Sequence, residues 1–355
     1  MASVAASVCL FYSTAVSAQS APPPPPAPPG PVAPAPTLDW ERSALVRDLQ
    51  ARSNGTASRA TRESVRFQLS PFGRRYGAPV DRAFDAWASF DPEAKPGEPD
   101  RLWHAWASPH LGWTRRDHPV IGYDGTQGGG AIGVDRRIGD RSVLGVFVHH
   151  ETANFTMKPV NGSLHSHLDG IGAYGGIALG ETVVIDAMIL WQSGKTRLRD
   201  AGATGSYDNQ RWSFAANVTG YHSLGSVQVA PSVGFDVSLD RQDAFTDSLG
   251  FAYAARRIDT VALTAGLEIG REFAMANGGN VTPFIGAGAR YDVMRRDTGA
   301  VGATYDPSRL DLSVRLGLRA EPTSAVSLSL EMDVSGLARR NQATMGANAR
   351  LGVRF

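Results

Sequence analysis

Only one cysteine, Cys9, occurs in 355 residues. It lies in a segment read below as removed on export, so the mature chain is expected to be thiol-free. That excludes a disulfide framework and a cysteine metal site. Cys9 is also a poor lipoprotein cysteine, because Val8 stands where a small residue belongs and few apolar residues precede it. An excess of one charge is missing too. The 35 Lys and Arg stand against 34 Asp and Glu, which argues against a nucleic-acid protein. Beyond the amino-terminal segment no run approaches the ~20 apolar residues of a membrane helix. Helix-forming runs are scarce, whereas glycine is abundant at 39. The mean hydropathy of −0.19 reads as soluble on a helix-based scale. A transmembrane barrel reads the same way, because its lipid-facing and lumen-facing residues alternate and cancel. Without an apolar helix, a chain spans a membrane only as a closed β-barrel, in which every backbone group is paired.

What is present begins with an export pattern. Val4 to Val16 is apolar or small, and Val16-Ser17-Ala18 before Gln19 fits a signal-peptidase site, so residues 1–18 are expected to be a signal peptide. No Lys or Arg precedes the apolar run, which fits a start upstream of Met1. Residues 19–37 form a proline-rich tract, Pro22 to Pro26 unbroken, expected to be an extended, solvated linker. In residues 38–100 a short helix is expected over Asp39–Arg52. A better one is expected over Pro79–Phe90, where Val80, Ala83, Phe84, Trp87 and Ala88 fall at helical spacing and Pro79 suits the first helical position.

From Arg101 onward the hydrophobic period becomes two. Val227 to Leu239, Val261 to Ile269, Leu310 to Leu318 and Val326 to Val334 each alternate an apolar face with a polar one. The polar faces carry formal charges in mid-strand. The apolar faces run five to seven residues unbroken, matching the ~9–11 residues of a tilted membrane strand. Twelve segments are expected, at 102–115, 127–138, 142–155, 165–179, 182–196, 207–222, 226–240, 257–273, 280–294, 308–320, 325–335 and 343–355. The glycine-rich second to fourth have the least legible faces.

The links alternate in length. Residues 139–141, 180–181, 223–225, 274–279 and 321–324 make short links. Residues 116–126, 156–164, 197–206, 241–256, 295–307 and 336–342 make longer ones. Transmembrane barrels show this pattern, with tight turns at one mouth and loops at the other, and a soluble sandwich has no reason to. The reading is an all-β fold: a twelve-stranded antiparallel transmembrane β-barrel over 101–355 with a short N-terminal helical plug. Trp191, Trp212, Tyr221, Phe235, Phe273, Phe284, Tyr291 and Phe355 are expected in the interfacial aromatic girdles.

The closing strand carries Leu351, Val353 and Phe355 on its apolar face, with Phe355 last. It resembles the signal by which bacterial outer-membrane barrels are recognised for assembly. Four stretches extend the likeness: Leu102-Trp103-His104-Ala105-Trp106-Ala107-Ser108, then Tyr123 to Gly129 leading into Ala131 to Asp135, then Leu144 to Phe147 with Leu168 to Gly176, and the strand ending at Phe355. Together they make residues Leu102 to Phe355 resemble the translocator barrel of classical bacterial autotransporters. The resemblance implies a monomeric barrel in outer-membrane lipid of a Gram-negative cell. It implies insertion by the outer-membrane barrel assembly machinery with periplasmic chaperones, an exported upstream passenger, and a helix in the lumen near 79–90. It also implies that Arg315, Arg319, Arg350, Arg354, Glu331, Asp333, Glu268 and Asp236 line a wet interior. The chain departs from the family in the short stretch between Gln19 and the first strand, which lacks β-helix repeats, and in the small Ala347 of the closing strand. Either the passenger is vestigial or the barrel is free-standing.

Chemistry is sparse. His149 and His150 are adjacent in a strand and point to opposite faces, while His165 and His167 share one. A phospholipase-like site would need His149, Asn154 and Ser166 to converge, and an omptin-like one would use Asp243 and Asp247. No motif links either set. Asn54-Gly55 reads as a plain turn, and Gly128-Gly129-Gly130 lacks the lysine and helix of a phosphate loop. No catalytic, cofactor or metal residue is assigned. The reading is a translocator or anchor. A pore or surface adhesin is the alternative, and an outer-membrane hydrolase is a further one.

Overall fold

The computed structural model describes residues 38–69, 102–118, 122–158, 161–200, 202–276, 278–298, 308–323, 325–339 and 341–355. The expected signal peptide, the proline-rich linker and the helix at 79–90 lie outside these residues.

Twelve long strands build a closed antiparallel barrel. They are β1 Trp103–Arg116, β2 Tyr123–Ile138, β3 Ser142–Met157, β4 Gly162–Leu179, β5 Val183–Asp200 and β6 Ala203–Gly220. The second half comprises β7 Val227–Gln242, β8 Arg256–Arg271, β9 Asn280–Asp297, β10 Leu310–Thr323, β11 Val326–Ser335 and β12 Gln342–Arg354. Each pairs with its sequence neighbour. β12 returns to β1, with Arg354 opposite His104 and Gln342 opposite Arg116. Closure removes every open edge, which hydrocarbon would leave unpaired.

Side chains follow the pleat. On β10, Leu312, Val314, Leu316 and Leu318 face outward and exposed, while Arg315 and the buried Arg319 face inward. On β11, Leu328, Leu330 and Met332 face out and the buried Glu331 faces in. An inverted arrangement would place charges in hydrocarbon. Leu330 is 57% exposed on the outer face near the middle of its strand. Leu330→Arg is therefore expected to lower stability by about 2–4 kcal/mol in lipid, read from urea unfolding in vesicles. A change under about 1 kcal/mol would mean that this face does not meet the bilayer interior.

Several parts of the sequence reading change. Eight of the twelve strands run longer than expected, and β5 and β6 are joined at residues 201–202 rather than by a loop over 197–206. Outward Arg197 and Arg199 look like loop in sequence, but the ladder continues through them, pairing Arg199 with Thr204. The expected girdle also loses two members. Phe284 and Tyr221 are buried inside, at 6% and 4% exposure. Trp103 and Trp113, unassigned from sequence, are exposed on the outer face.

The N-terminal helix is longer than the expected 39–52. α1 runs from Leu38 to Leu69, 32 residues, or about 48 Å at 1.5 Å per residue. It continues through Asn54-Gly55, which is therefore mid-helix and not a turn. Among the described residues no helix is long and apolar enough to cross a membrane. α1 is instead a polar helix enclosed by strands.

The plugged lumen as the candidate functional site

α1 touches the barrel wall on all sides, and the two halves of that wall treat it differently. Toward β1 to β6 apolar contacts predominate, with polar fastenings set among them. Leu45 and Leu49 pack with Tyr123, Phe155, Met157 and Leu198. Ala57, Ala60, Val65 and Leu69 pack with Trp106, Phe147, Tyr174 and Met188. Toward β8 to β12 the contacts are charged. Glu63 accepts two hydrogen bonds from Arg319, at 2.9 and 2.7 Å. Arg319 also donates to Glu268 at 2.6 and 2.9 Å. Arg66 lies 3.4 Å and Arg315 3.2 Å from the same carboxylate. Arg59 pairs with Glu331 and, at 3.1 Å, with Asp333. Two-pronged arginine–carboxylate bonds of this kind fix geometry as well as attract.

Polar residues fix the helix at both ends. Near its start, Asp48 accepts hydrogen bonds from Tyr123, from Arg339 at 2.7 Å and from Gln342 at 2.8 Å. One turn on, Arg52 occupies a slot between Gly112 and Gly346, which lie opposite each other on β1 and β12. It donates to Thr114 Oγ1 and to the Met345 carbonyl. A Cβ on Gly112 would lie 2.6 Å from the guanidinium carbon, so a side chain there would displace Arg52 from the slot. Near the end of α1, Arg354 lies over the Phe67 ring at 4.2 Å and donates to the Phe67 carbonyl at 2.8 Å. Asn54 donates its amide toward the Phe214 and Val237 carbonyls at 3.5 and 3.4 Å.

These contacts give α1 a direction. Asp48 is held by Arg339 and Gln342, at the mouth carrying links 117–122 and 336–341. Phe67 lies by Arg354, at the opposite mouth where β1 begins and β12 ends. The helix therefore enters at the first mouth and finishes beside the start of β1.

One cluster has the makings of a relay and fails as one. Ser64 Oγ donates to Asp135 and also meets His104 Nδ1 at 3.0 Å, while that same Nδ1 lies 3.1 Å from Asp135. A relay needs the serine and the acid on different ring nitrogens. Here both use Nδ1, and Nε2 has no partner. With Tyr174 donating to Asp135 at 2.5 Å and Trp106 to Tyr174 at 2.7 Å, the cluster fastens the helix to the wall.

The residues singled out from sequence fall as follows. Arg315, Arg319, Arg350, Arg354, Glu331, Asp333, Glu268 and Asp236 are on the inner face. Arg350 lies by the Trp106 ring at 5.4 Å, and Asp236 accepts from Arg290 at 2.5 Å. Leu351, Val353 and Phe355 face outward, and Phe355 exchanges backbone hydrogen bonds with Trp103. His149 and Ser166 face in but Asn154 faces out, so those three do not converge. Asp247 accepts the amide protons of Leu249 and Phe251, both at 2.9 Å, which makes it a turn-former. His149 is buried and His150 exposed, while His165 and His167 lie on the outer face. Sequence reasoning missed Asp48, Arg59, Glu63 and Arg66, because nothing in the helix names the strand residues that meet it.

A family model described as the autotransporter beta-domain matches residues 105–333. The chain belongs to the autotransporter β-domain family. Barrels of this family sit in the Gram-negative outer membrane and are typically not catalytic. Among solved structures, the translocator domain of the autotransporter NalP from Neisseria meningitidis is similar at 15% identity and a TM-score of 0.63, over 78% of this chain and 94% of that one. The β domain of the Bordetella autotransporter BrkA gives 17% and 0.58, over 72% and 100%. The transport unit of AIDA-I from Escherichia coli gives 12% and 0.51, over 85% and 98%. At these identities the likeness is one of fold. No curated protein matches by sequence.

Proposed function

We propose that this autotransporter β-domain carries the segment N-terminal to α1 to the cell surface and then anchors it there, with α1 as the plug left in the pore. The carrying observation is the direction of the helix. It runs from the Arg339 mouth, taken as external, to the Arg354 mouth, where β1 starts. A chain threaded this way has its amino-terminal side outside. Residues 1–18 would be the export signal and 19–37 the exposed linker, with 38–100 a short passenger or connecting segment and 101–355 the barrel. Leu351, Val353 and Phe355 would be read by the assembly machinery after periplasmic chaperones deliver the chain, and the barrel would act as a monomer without catalysis. Residues that line the lumen, Arg319 and Glu268 among them, would hold the plug rather than a solute. A helix that fills the lumen favours this reading over an open diffusion pore.

The test is a short epitope inserted in the 19–37 tract. Protease added to intact cells is expected to remove it while the barrel survives. An epitope protected until the outer membrane is permeabilised would sink the proposal.

A further inference from the structure

We propose that His110, His149 and Glu151 form a binding site for a divalent transition metal of the zinc class in the barrel wall. The three come from two strands that are not neighbours. His110 is on β1, and His149 and Glu151 are two apart on β3, so all three point inward. β2 separates the strands, and at that level it offers Gly129, which lies opposite both His110 and Glu151. With no side chain on the strand between, the two walls face each other directly. A Cβ on Gly129 would fall 2.1 Å from the His150 carbonyl oxygen, so the gap is built into the backbone. This gives Gly129, the middle of the glycine run at 128–130, a purpose that its sequence did not suggest.

One ligand atom from each residue lies within 4.8 Å of the other two. The imidazole rings are near-parallel, 5.8 Å apart at 18°. Nε2 of His110, Nε2 of His149 and Oε2 of Glu151 are all buried and have no hydrogen-bond partner. His149 and Glu151 are each only 3% exposed. Three electron-pair donors brought together, buried and unsatisfied, are costly unless something positive joins them. Two nitrogens and a carboxylate oxygen suit Zn²⁺, with a fourth position left open.

The surroundings fit. Glu151 turns its other oxygen toward Arg211 at 3.6 Å, and Arg211 is engaged by Asp240 at 3.1 Å. The nearby Arg52 is held by Thr114 and the Met345 carbonyl. The Gln192 amide lies 3.2 Å from His149 Nδ1. A carboxamide's oxygen and nitrogen are interchangeable in shape. With its oxygen toward Nδ1, Gln192 accepts the ring proton and frees Nε2 for the metal, the usual outer-shell arrangement.

The experiment uses the full chain without a histidine tag, folded in detergent with and without Co²⁺ as the spectroscopic probe and Zn²⁺ as competitor. One Co²⁺ per barrel is expected, with visible absorption bands that Zn²⁺ abolishes. His149→Ala and Glu151→Gln are each expected to weaken binding more than ~100-fold, and Gln192→Ala about 10-fold. Heat-modifiable migration checks that each variant has folded, and the near-isosteric Glu151→Gln stands in should His149→Ala not fold. His165→Ala and His167→Ala should change nothing. No stoichiometric uptake by the folded chain, or uptake unaffected by the two ligand substitutions but lost with His165 and His167, would overturn the site.

Discussion

A chain lacking residues 38–69 is expected to form a steady, open ion channel in a planar bilayer, where the full chain stays closed. The barrel closes on itself through β1 and β12 without help from α1. Its wall is a continuous ladder that survives loss of the helix. What the helix supplies is the contents of the lumen. Its removal strips cover from Trp106, Phe147 and Met188 on one side and from Arg319, Glu331 and Asp333 on the other. Water and ions then enter along a path lined by charged side chains. Single-channel recording is the measurement, with heat-modifiable migration to establish that the shortened chain has folded. A point variant gives an independent reading. Arg59→Glu turns two attractions, to Glu331 and Asp333, into repulsions, and should give intermittent openings. If the full chain and the shortened one conduct alike, the helix does not plug the pore.

Glu268→Gln is expected to lower the stability of the folded barrel by about 3–5 kcal/mol, the usual loss when one partner of a buried ion pair is removed. The carboxylate is 8% exposed and faces three guanidinium groups, those of Arg66, Arg315 and Arg319. Glutamine keeps the shape but removes the charge that balances them. Glu63 then carries Arg319 alone. Urea unfolding in detergent, followed by the heat-modifiable band, reads the loss. Because the pairs are shielded from bulk ions, raising salt to about 1 M should not reproduce it in the wild-type chain. A loss under about 1 kcal/mol, the range of exposed pairs, would mean that lumen water solvates this cluster and that α1 is held mainly by its apolar side.

That two-sided lumen also accounts for what could be read in advance. Strands β7, β8, β10 and β11 are legible because their inner faces carry charges, which on β8, β10 and β11 meet α1, so apolar and polar residues alternate cleanly. β3 is not. Its outward Leu144, Val146 and Val148 interleave with inward Val143, Phe147 and Phe155, which pack inside the barrel, so both faces are apolar and the period disappears. The same cause misled the aromatic assignment. Phe284 reads as a girdle residue in the sequence, yet it lies under the Arg319 guanidinium at 3.8 Å, because an aromatic ring in a strand does not reveal its side when the lumen is also partly apolar. Residues 197–199 read as loop because charge on an outward strand looks the same above the bilayer as in a loop.

The amino-acid order alone settled the architecture. A period of two sustained over a dozen segments, with no apolar helix and with tight and open links in turn, leaves a closed barrel as the one membrane-spanning solution, since backbone groups must be paired in hydrocarbon. Tertiary structure alone decided what fills it. Helix propensity and pattern are local, and α1 is only weakly patterned because it serves an apolar wall and a charged wall at once. Its partners lie up to 294 residues away, as in Asp48 with Gln342. Likewise, His110 meets His149 and Glu151 only because the intervening strand offers Gly129 where a side chain would otherwise stand. Contacts across the wall depend on strand register, and the wall around α1 is complete only when the last strand meets the first.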